Sequence, residues 1–167
     1  IGRERRGSDS FAATAFRVAD QDALAWWQAR FDAQGVVHQG VEEFAGRSVL
    51  RFDDPEGQRL MLVDDGGAAS ESLFWEKGGV PEAHAIRGFY AAFIATPRMD
   101  QMAQIITRVL NYQEVAQHPA THSSPAVTVY ATGEGGPGRE LWVVEDRSAP
   151  AYPGAGGVHH VAFRVAD

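Results

Sequence analysis

Ala15-Phe16-Arg17-Val18-Ala19-Asp20 recurs without change as Ala162-Phe163-Arg164-Val165-Ala166-Asp167, where the chain ends. A looser copy, Ala92-Phe93-Ile94-Ala95 followed by Thr96-Pro97, lies between them. Internal repetition constrains architecture before any local feature does. After the first copy Leu24, Trp27 and Phe31 recur at helical spacing and Gly35 follows, so 21–34 reads as an amphipathic helix with Asp20 as its N-cap. After the loose copy, Thr96 as cap and Pro97 at the first helical position introduce Met102, Ile105, Ile106, Val109 and Leu110 at the same spacing. Both copies therefore read as a strand running into a helix.

The two units agree further downstream. The first continues with strands near 36–38, 48–52 and 58–63, with Asp53-Asp54-Pro55-Glu56-Gly57 as the turn before the last. The second continues with strands near 114–116, 126–131 and 140–145, with a glycine-rich turn at 133–138. Each unit is β-α-β-β-β: 11–66 is the first module, 67–86 a connector and 87–146 the second module. Residues 154–167 form the opening strand of a further one. A four-stranded unit with one helix leaves a sheet face bare, so two units must pair into one domain. The expected fold class is α+β, with paired βαβββ modules forming a cupped, barrel-like mixed sheet. The connector is flexible in composition at Gly66–Ser70, whereas Leu73, Phe74, Trp75 and Val80 offer apolar surface that can pack on the domain. A chain that starts at Ile1 and stops at the sixth residue of a repeat copy is expected to be part of something larger.

Composition excludes several functions. Hydrophobic residues make up 44% of the 167, yet no apolar run approaches the ~20 residues that span a bilayer, and no signal peptide is evident. A cytoplasmic location is expected. The absence of cysteine removes disulfides, thiolate nucleophiles and cysteine-ligated zinc. A net charge of −7 argues against nucleic acid as partner, and Arg3, Arg5 and Arg6 read as a short solvated stretch.

Paired βαβββ units, the "HHVAFRV" stretch at 159–165 and the "DPEG" turn at 54–57 resemble the vicinal oxygen chelate superfamily of glyoxalases, bleomycin-resistance proteins and extradiol dioxygenases. Within it, the stretches 2–7, Trp26-Trp27, 50–65, "HAIRGF" at 84–89 and 154–165 are similar to hydroquinone-type ring-cleaving dioxygenases. That resemblance implies a divalent metal held in a cupped sheet by one position early in a module's first strand and another in its last. His160 lies three residues before Phe163; the same offset points to Ala13 before Phe16 and to Tyr90 before Phe93. The family's last-strand glutamate, four residues after the turn glycine, falls on Met61 and Trp142. None of these four offers a carboxylate or imidazole. The resemblance therefore assigns His160 as the chain's one metal ligand and His159 as a catalytic residue beside the substrate. It implies Fe(II), with Mn(II) as the alternative, in the full-length protein only, the remaining ligands lying outside this chain.

The implied function is part of a non-haem ring-cleaving dioxygenase acting on hydroquinone or catechol-like diols with O₂, in which the 167 residues alone are inactive. Two alternatives stay open: a glyoxalase-like metal-dependent lyase or isomerase, which needs a carboxylate base in the cup, and a metal-free small-molecule-binding module lined by Trp142 and Tyr90. A homo-oligomer is compatible with the sequence. Other features read as structural. Gly133–Gly138 satisfies GxGxxG but runs into a strand, so it reads as a hairpin turn. Pro119 separates His118 from His122 and favours a loop there. His38 and His84 lack partners in sequence, and Trp26 and Trp27 sit at core spacing.

Overall fold

The structure, a computed structural model, describes residues 2–69, 74–122 and 124–163. Among the described residues, thirteen segments follow one another in the order the repeats require. The first half contains β1 (Ser10–Val18), α1 (Gln21–Gln34), β2 (His38–Phe44), β3 (Arg47–Asp53) and β4 (Arg59–Asp64). Two 3₁₀ turns, Glu76–Gly78 and Glu82–His84, lead to β5 (Phe89–Thr96), α2 (Met99–Gln104), a π-helical turn (Ile105–Val109), β6 (Gln113–His118), β7 (Val127–Ala131) and β8 (Glu140–Glu145). All eight strands form one mixed sheet in the order β2-β3-β4-β1-β5-β8-β7-β6. Each half is an antiparallel β2-β3-β4 or β6-β7-β8 meander closed by a parallel pair, β1 with β4 or β5 with β8. The halves meet at the antiparallel β1–β5 pair. This is the cupped α+β architecture expected from the repeats.

The first hexapeptide shows how a short sequence sets a module. Val18 lies buried beneath α1 with Leu24, Phe31, Leu50 and Leu62, and Phe16 packs at the margin of that cluster. The Asp20 side chain accepts a hydrogen bond from Ala23 N at 2.9 Å, capping α1, and Gly35 ends it in the left-handed region at φ 68°. Arg17 is buried and donates from Nε to Asp65 at 2.7 Å and from Nη2 to the carbonyls of Ala68 and Ala69. The hexapeptide thus ties its strand to its helix and to the start of the connector.

α1 covers the convex face of the first half. On the second half Ile106, Tyr130, Leu141 and Val143 form the matching cluster, with Ala92, Ile94 and Met102 beside it. The concave faces share a third cluster that includes Ala15, Phe44, Met61, Val63, Phe93, Val129 and Trp142. The connector packs outside α1, where Trp27 donates from Nε1 to the His84 carbonyl and Trp26 stacks on the His84 ring at 5.2 Å. Leu73 lies outside the described residues.

Three local expectations are corrected. The strand expected at 36–38 is instead His38–Phe44, where Glu42 and Glu43 obscure a strand stabilised by the Glu42–Arg51 pair. The second helix is capped at Arg98, not Thr96; Thr96 instead donates to Asp9 at 3.0 Å and accepts from Arg98 N. That helix then widens into a π turn, which buries Ile106 but leaves Ile105 and Val109 exposed.

The third correction concerns the repeat register. Ala15 pairs with Met61 and Phe93 with Trp142, while Phe16 pairs with Leu62 and Ile94 with Val143. Phe93 therefore corresponds to Ala15, and Phe16 to Ile94. A one-residue slip moves a side chain to the opposite face, so Phe93 points into the cup whereas Phe16 packs under α1.

The Arg17–Asp65 pair is buried, while Arg6 and Asp53 form a rim pair with nearly half of each side chain exposed. Removing one partner of a buried pair leaves an uncompensated charge. Asp65→Ala is therefore expected to cost ~3–5 kcal/mol in denaturant unfolding, against at most ~1 kcal/mol for Arg6→Ala. Equal costs would show that the pair is not what anchors β1 to the connector.

Candidate functional site

The concave face presents Ala13, Met61, Tyr90 and Trp142, the four cup positions expected from the sequence, within or against one apolar cluster. In the corrected register the partner of Ala13 in the second half is Ala91 rather than Tyr90. A β-bulge between Ala15 and Phe16, opposite Ala91 and Phe89, lets Tyr90 and Ala91 both join the inner cluster.

Tyr90 is fully buried, with its ring edge-on to Trp142 at 5.9 Å and the Arg47 guanidinium 5.6 Å from its ring centroid. Its hydroxyl has no hydrogen-bond partner among the described residues. Burial, reinforced by the Glu140 carboxylate, pushes the phenol up to about 12. At neutral pH Tyr90 is a neutral phenol held in a tight apolar wall. Trp142, also buried, donates from Nε1 to Glu140 Oε2 at 2.7 Å.

A cleft of about 340 Å³ opens on this face in the first half. Ala13, Phe44, Met61, Phe93 and Val144 supply its apolar surface, and Arg6, Arg51, Asp53 and Arg59 its polar surface. Strand alternation puts Arg51 in phase with Val49, and Arg59 in phase with Met61 and Val63, so both guanidinium groups belong to the inner face. Arg51 donates to Glu42 at 2.6 Å; Arg6 pairs with Asp53 and donates to the Gly57 carbonyl at 2.8 Å. Arg59 has no such ion pair among the described residues, and its Nη2 is buried without a hydrogen-bond partner. Burial, then the adjacent Arg6 charge, pulls its guanidinium below its ordinary range, against the fields of Glu4, Asp53 and Asp146. Sequence reading passed over Arg51 and Arg59. The signal available was an arginine on the buried phase of a strand, at Val49-x-Arg51 and Arg59-x-Met61-x-Val63.

The histidines lie elsewhere. Residues 149–158 run along residues 2–8 through backbone hydrogen bonds, among them Glu4 N to Ala155 O at 3.0 Å, with Val158 bridging to Phe11. Glycines permit this approach: a Cβ on Gly154 would sit 2.6 Å from Glu4 N, and one on Gly156 2.4 Å from the Glu56 carbonyl. His159 and His160 follow this clasp as exposed chain outside any strand or helix, their Nδ1 atoms 3.4 Å apart. Of the strand expected at 154–167, residues 154–163 show isolated bridges rather than a ladder, and 164–167 lie outside the described residues.

Among the described residues, no three His, Asp or Glu side chains converge as a metal site requires. His160 supplies a single imidazole, so the residues present do not by themselves fit a resident metal ion. His38 bonds Asp32 at 3.0 Å and Gly40 N at 3.0 Å, and His118 ends β6 opposite Val127. The glycine-rich 133–138 segment joins β7 to β8 as a hairpin turn. No described helix is long and apolar enough to cross a membrane.

Comparison with known proteins adds independent information. No family model matches the chain. It is 35% identical to MhqA of Bacillus subtilis, a candidate ring-cleaving dioxygenase, over 96% of this chain and 51% of the relative. It is 27% identical to the chlorohydroquinone/hydroquinone 1,2-dioxygenase of Sphingobium indicum, over 98% of this chain and 50% of the relative. The chain thus spans about half the length of the curated relatives it matches. A crystal structure of a candidate dioxygenase from Bacillus subtilis superimposes with a TM-score of 0.80 at 24% identity, over 95% of this chain and 47% of the other. Glyoxalase I from Zea mays superimposes with a TM-score of 0.58 at 10% identity, over 90% of this chain and 44% of that one.

The Tyr90 hydroxyl generates a pH prediction. In the unfolded chain it ionises near pH 10 and in the folded protein near about 12, so the unfolded form loses its proton first and stability falls as pH rises between the two. Tyr90→Phe should abolish about 2–3 kcal/mol of that alkaline loss. At pH 7 it should be neutral or stabilising by ~1 kcal/mol, because it removes a buried hydroxyl without a partner. Urea unfolding of both proteins from pH 7 to 12 checks this, and parallel pH profiles would refute it.

Proposed function

We propose that this chain, whose fold is that of the vicinal oxygen chelate superfamily, forms part of a ring-cleaving dioxygenase acting on hydroquinone or catechol-like diols with O₂. The observation that carries this reading is the similarity, over nearly the whole chain, to relatives named for ring cleavage, one of them for cleavage of hydroquinones. The fold is compatible with the role, since the same architecture occurs in a candidate dioxygenase and in glyoxalase I.

In this reading the activity belongs to a polypeptide longer than these 167 residues. His160 would contribute one imidazole to a non-haem Fe(II) centre, or Mn(II), with the other donors supplied by residues beyond this chain. The metal, when bound, would supply Lewis acidity and redox chemistry toward O₂. His160 is suited by position: it is exposed, and it follows a glycine clasp that fixes the backbone just before it. His159 is proposed to act beside the substrate, where an imidazole can exchange a proton with a diol hydroxyl near neutral pH. The lyase or isomerase alternative needs a carboxylate base in the cup; of the carboxylates there, Asp53 is engaged by Arg6 and Glu140 by the Trp142 indole.

The test is oxygen uptake by the full-length polypeptide, loaded with iron, on chlorinated and methylated hydroquinones. His160→Ala should lower both bound iron and oxygen uptake by ~100-fold or more, while His159→Ala should keep the iron and lose turnover. Full metal loading without oxygen consumption on any diol would overturn the dioxygenase reading. Unchanged iron content in His160→Ala would remove His160 from the ligand set.

A further inference from the structure

We propose that the concave cleft of the first half is a metal-independent binding site for a small organic carboxylate with an apolar body, its carboxylate held by Arg59. This goes beyond the dioxygenase reading and does not depend on it. The cleft lies in the inner sheet face, whereas His159 and His160 do not line it.

Charge pairing identifies the anchoring group. Of the three arginines lining the cleft, Arg6 is held by Asp53 and the Gly57 carbonyl, and Arg51 by Glu42. Arg59 is held by neither kind of contact among the described residues, and its Nη2 is sealed from solvent without a partner. A buried charged N–H without an acceptor is costly, and native proteins almost always satisfy such groups. Burial and the Arg6 charge lower its pKa, and the fields of Glu4, Asp53 and Asp146 offset this only in part. Because Asp53 and Glu42 engage the two neighbouring guanidinium groups, Arg59 is the cleft arginine left to receive an anion.

Shape and polarity then define the ligand. A guanidinium fork matches the two coplanar oxygens of a carboxylate. Most of the remaining lining is apolar, Ala13, Phe44, Met61, Phe93 and Val144 among it, which favours an aromatic or alicyclic body over an inorganic anion. Metal-type donors are scarce there: Asp53 is tied to Arg6, and His38 to Asp32 and Gly40. An anion reaching Arg59 would not have to break an existing ion pair of that residue.

Calorimetric titration of the full 167-residue chain, in buffer containing a chelator, tests this with benzoate, cyclohexanecarboxylate, benzamide and inorganic phosphate as probes. Benzoate and cyclohexanecarboxylate should bind saturably at one site, and benzamide should not. Arg59→Met should weaken benzoate by at least ~10-fold, as loss of a charged hydrogen bond requires, and Arg59→Lys by less. Ala13→Leu, which fills the apolar wall and leaves the arginines in place, should weaken it comparably. It carries the test if circular dichroism shows Arg59→Met to be unfolded. Absence of saturable benzoate binding, wild-type affinity in folded Arg59→Met or in Ala13→Leu, or phosphate binding as tight as benzoate would each overturn the proposal. Because the titration is metal-free, its failure leaves the ring-cleavage reading untouched, and the failure of that reading leaves this one standing.

Discussion

Everything in this fold depends on one requirement: the concave sheet face of each β-α-β-β-β half must be covered, and its own helix cannot do it. α1 and α2 occupy the convex faces, each over its own cluster. The inner cluster draws on both halves, Met61 and Val63 from one and Phe93, Val129 and Trp142 from the other. The antiparallel β1–β5 pair brings these faces together. Burial of apolar area, the main favourable term in folding, therefore joins the halves at the same surface that forms the candidate binding cleft.

That coupling explains the character of the site. A cup filled with Ala, Phe, Met, Val and Trp is a packing solution first, and chemistry enters where the packing thins. It thins at the end of the first half, where Arg51 and Arg59 occupy inner-face positions and Arg6 reaches in from the N-terminal segment. The histidines singled out by the repeat stand outside this cup, beyond a clasp built from glycines that bring three backbone segments together. Two kinds of chemistry, cationic and imidazole, are thus held by separate structural devices.

The architecture was largely legible because it is written twice. Leu24, Trp27 and Phe31 announce α1, Asp20 caps it, and the strands of both meanders follow turn residues that punctuate clearly. The errors share a physical origin. Phe16 and Phe93 look equivalent as letters but face opposite sides of the sheet, because position relative to the helix cap and the parallel partner strand sets the face. Thr96 has the chemistry of an N-cap, but Asp9, distant in sequence, engages its hydroxyl. Arg59 was invisible because a lone arginine in a strand reads as a solvated residue; only the placement of its neighbours shows that its guanidinium is half-buried. Tyr90 could be placed in the cup from the repeat, but its lack of a hydroxyl partner is a property of three-dimensional surroundings.

The β1–β5 seam also bears on how the molecule acquires its structure. Ser10 pairs with Ala95 across about half of the sequence, whereas the β2–β3 and β7–β8 hairpins close over short turns. Short hairpins form in microseconds, but non-local pairing must first meet the entropy of closing a long loop. Each half can therefore reach its own strand order early and still expose an uncovered apolar face until the seam closes. Topology thus makes the docking of the two similar halves the step with the largest loop-closure cost, and until the seam closes either half presents a face that another chain's half could match.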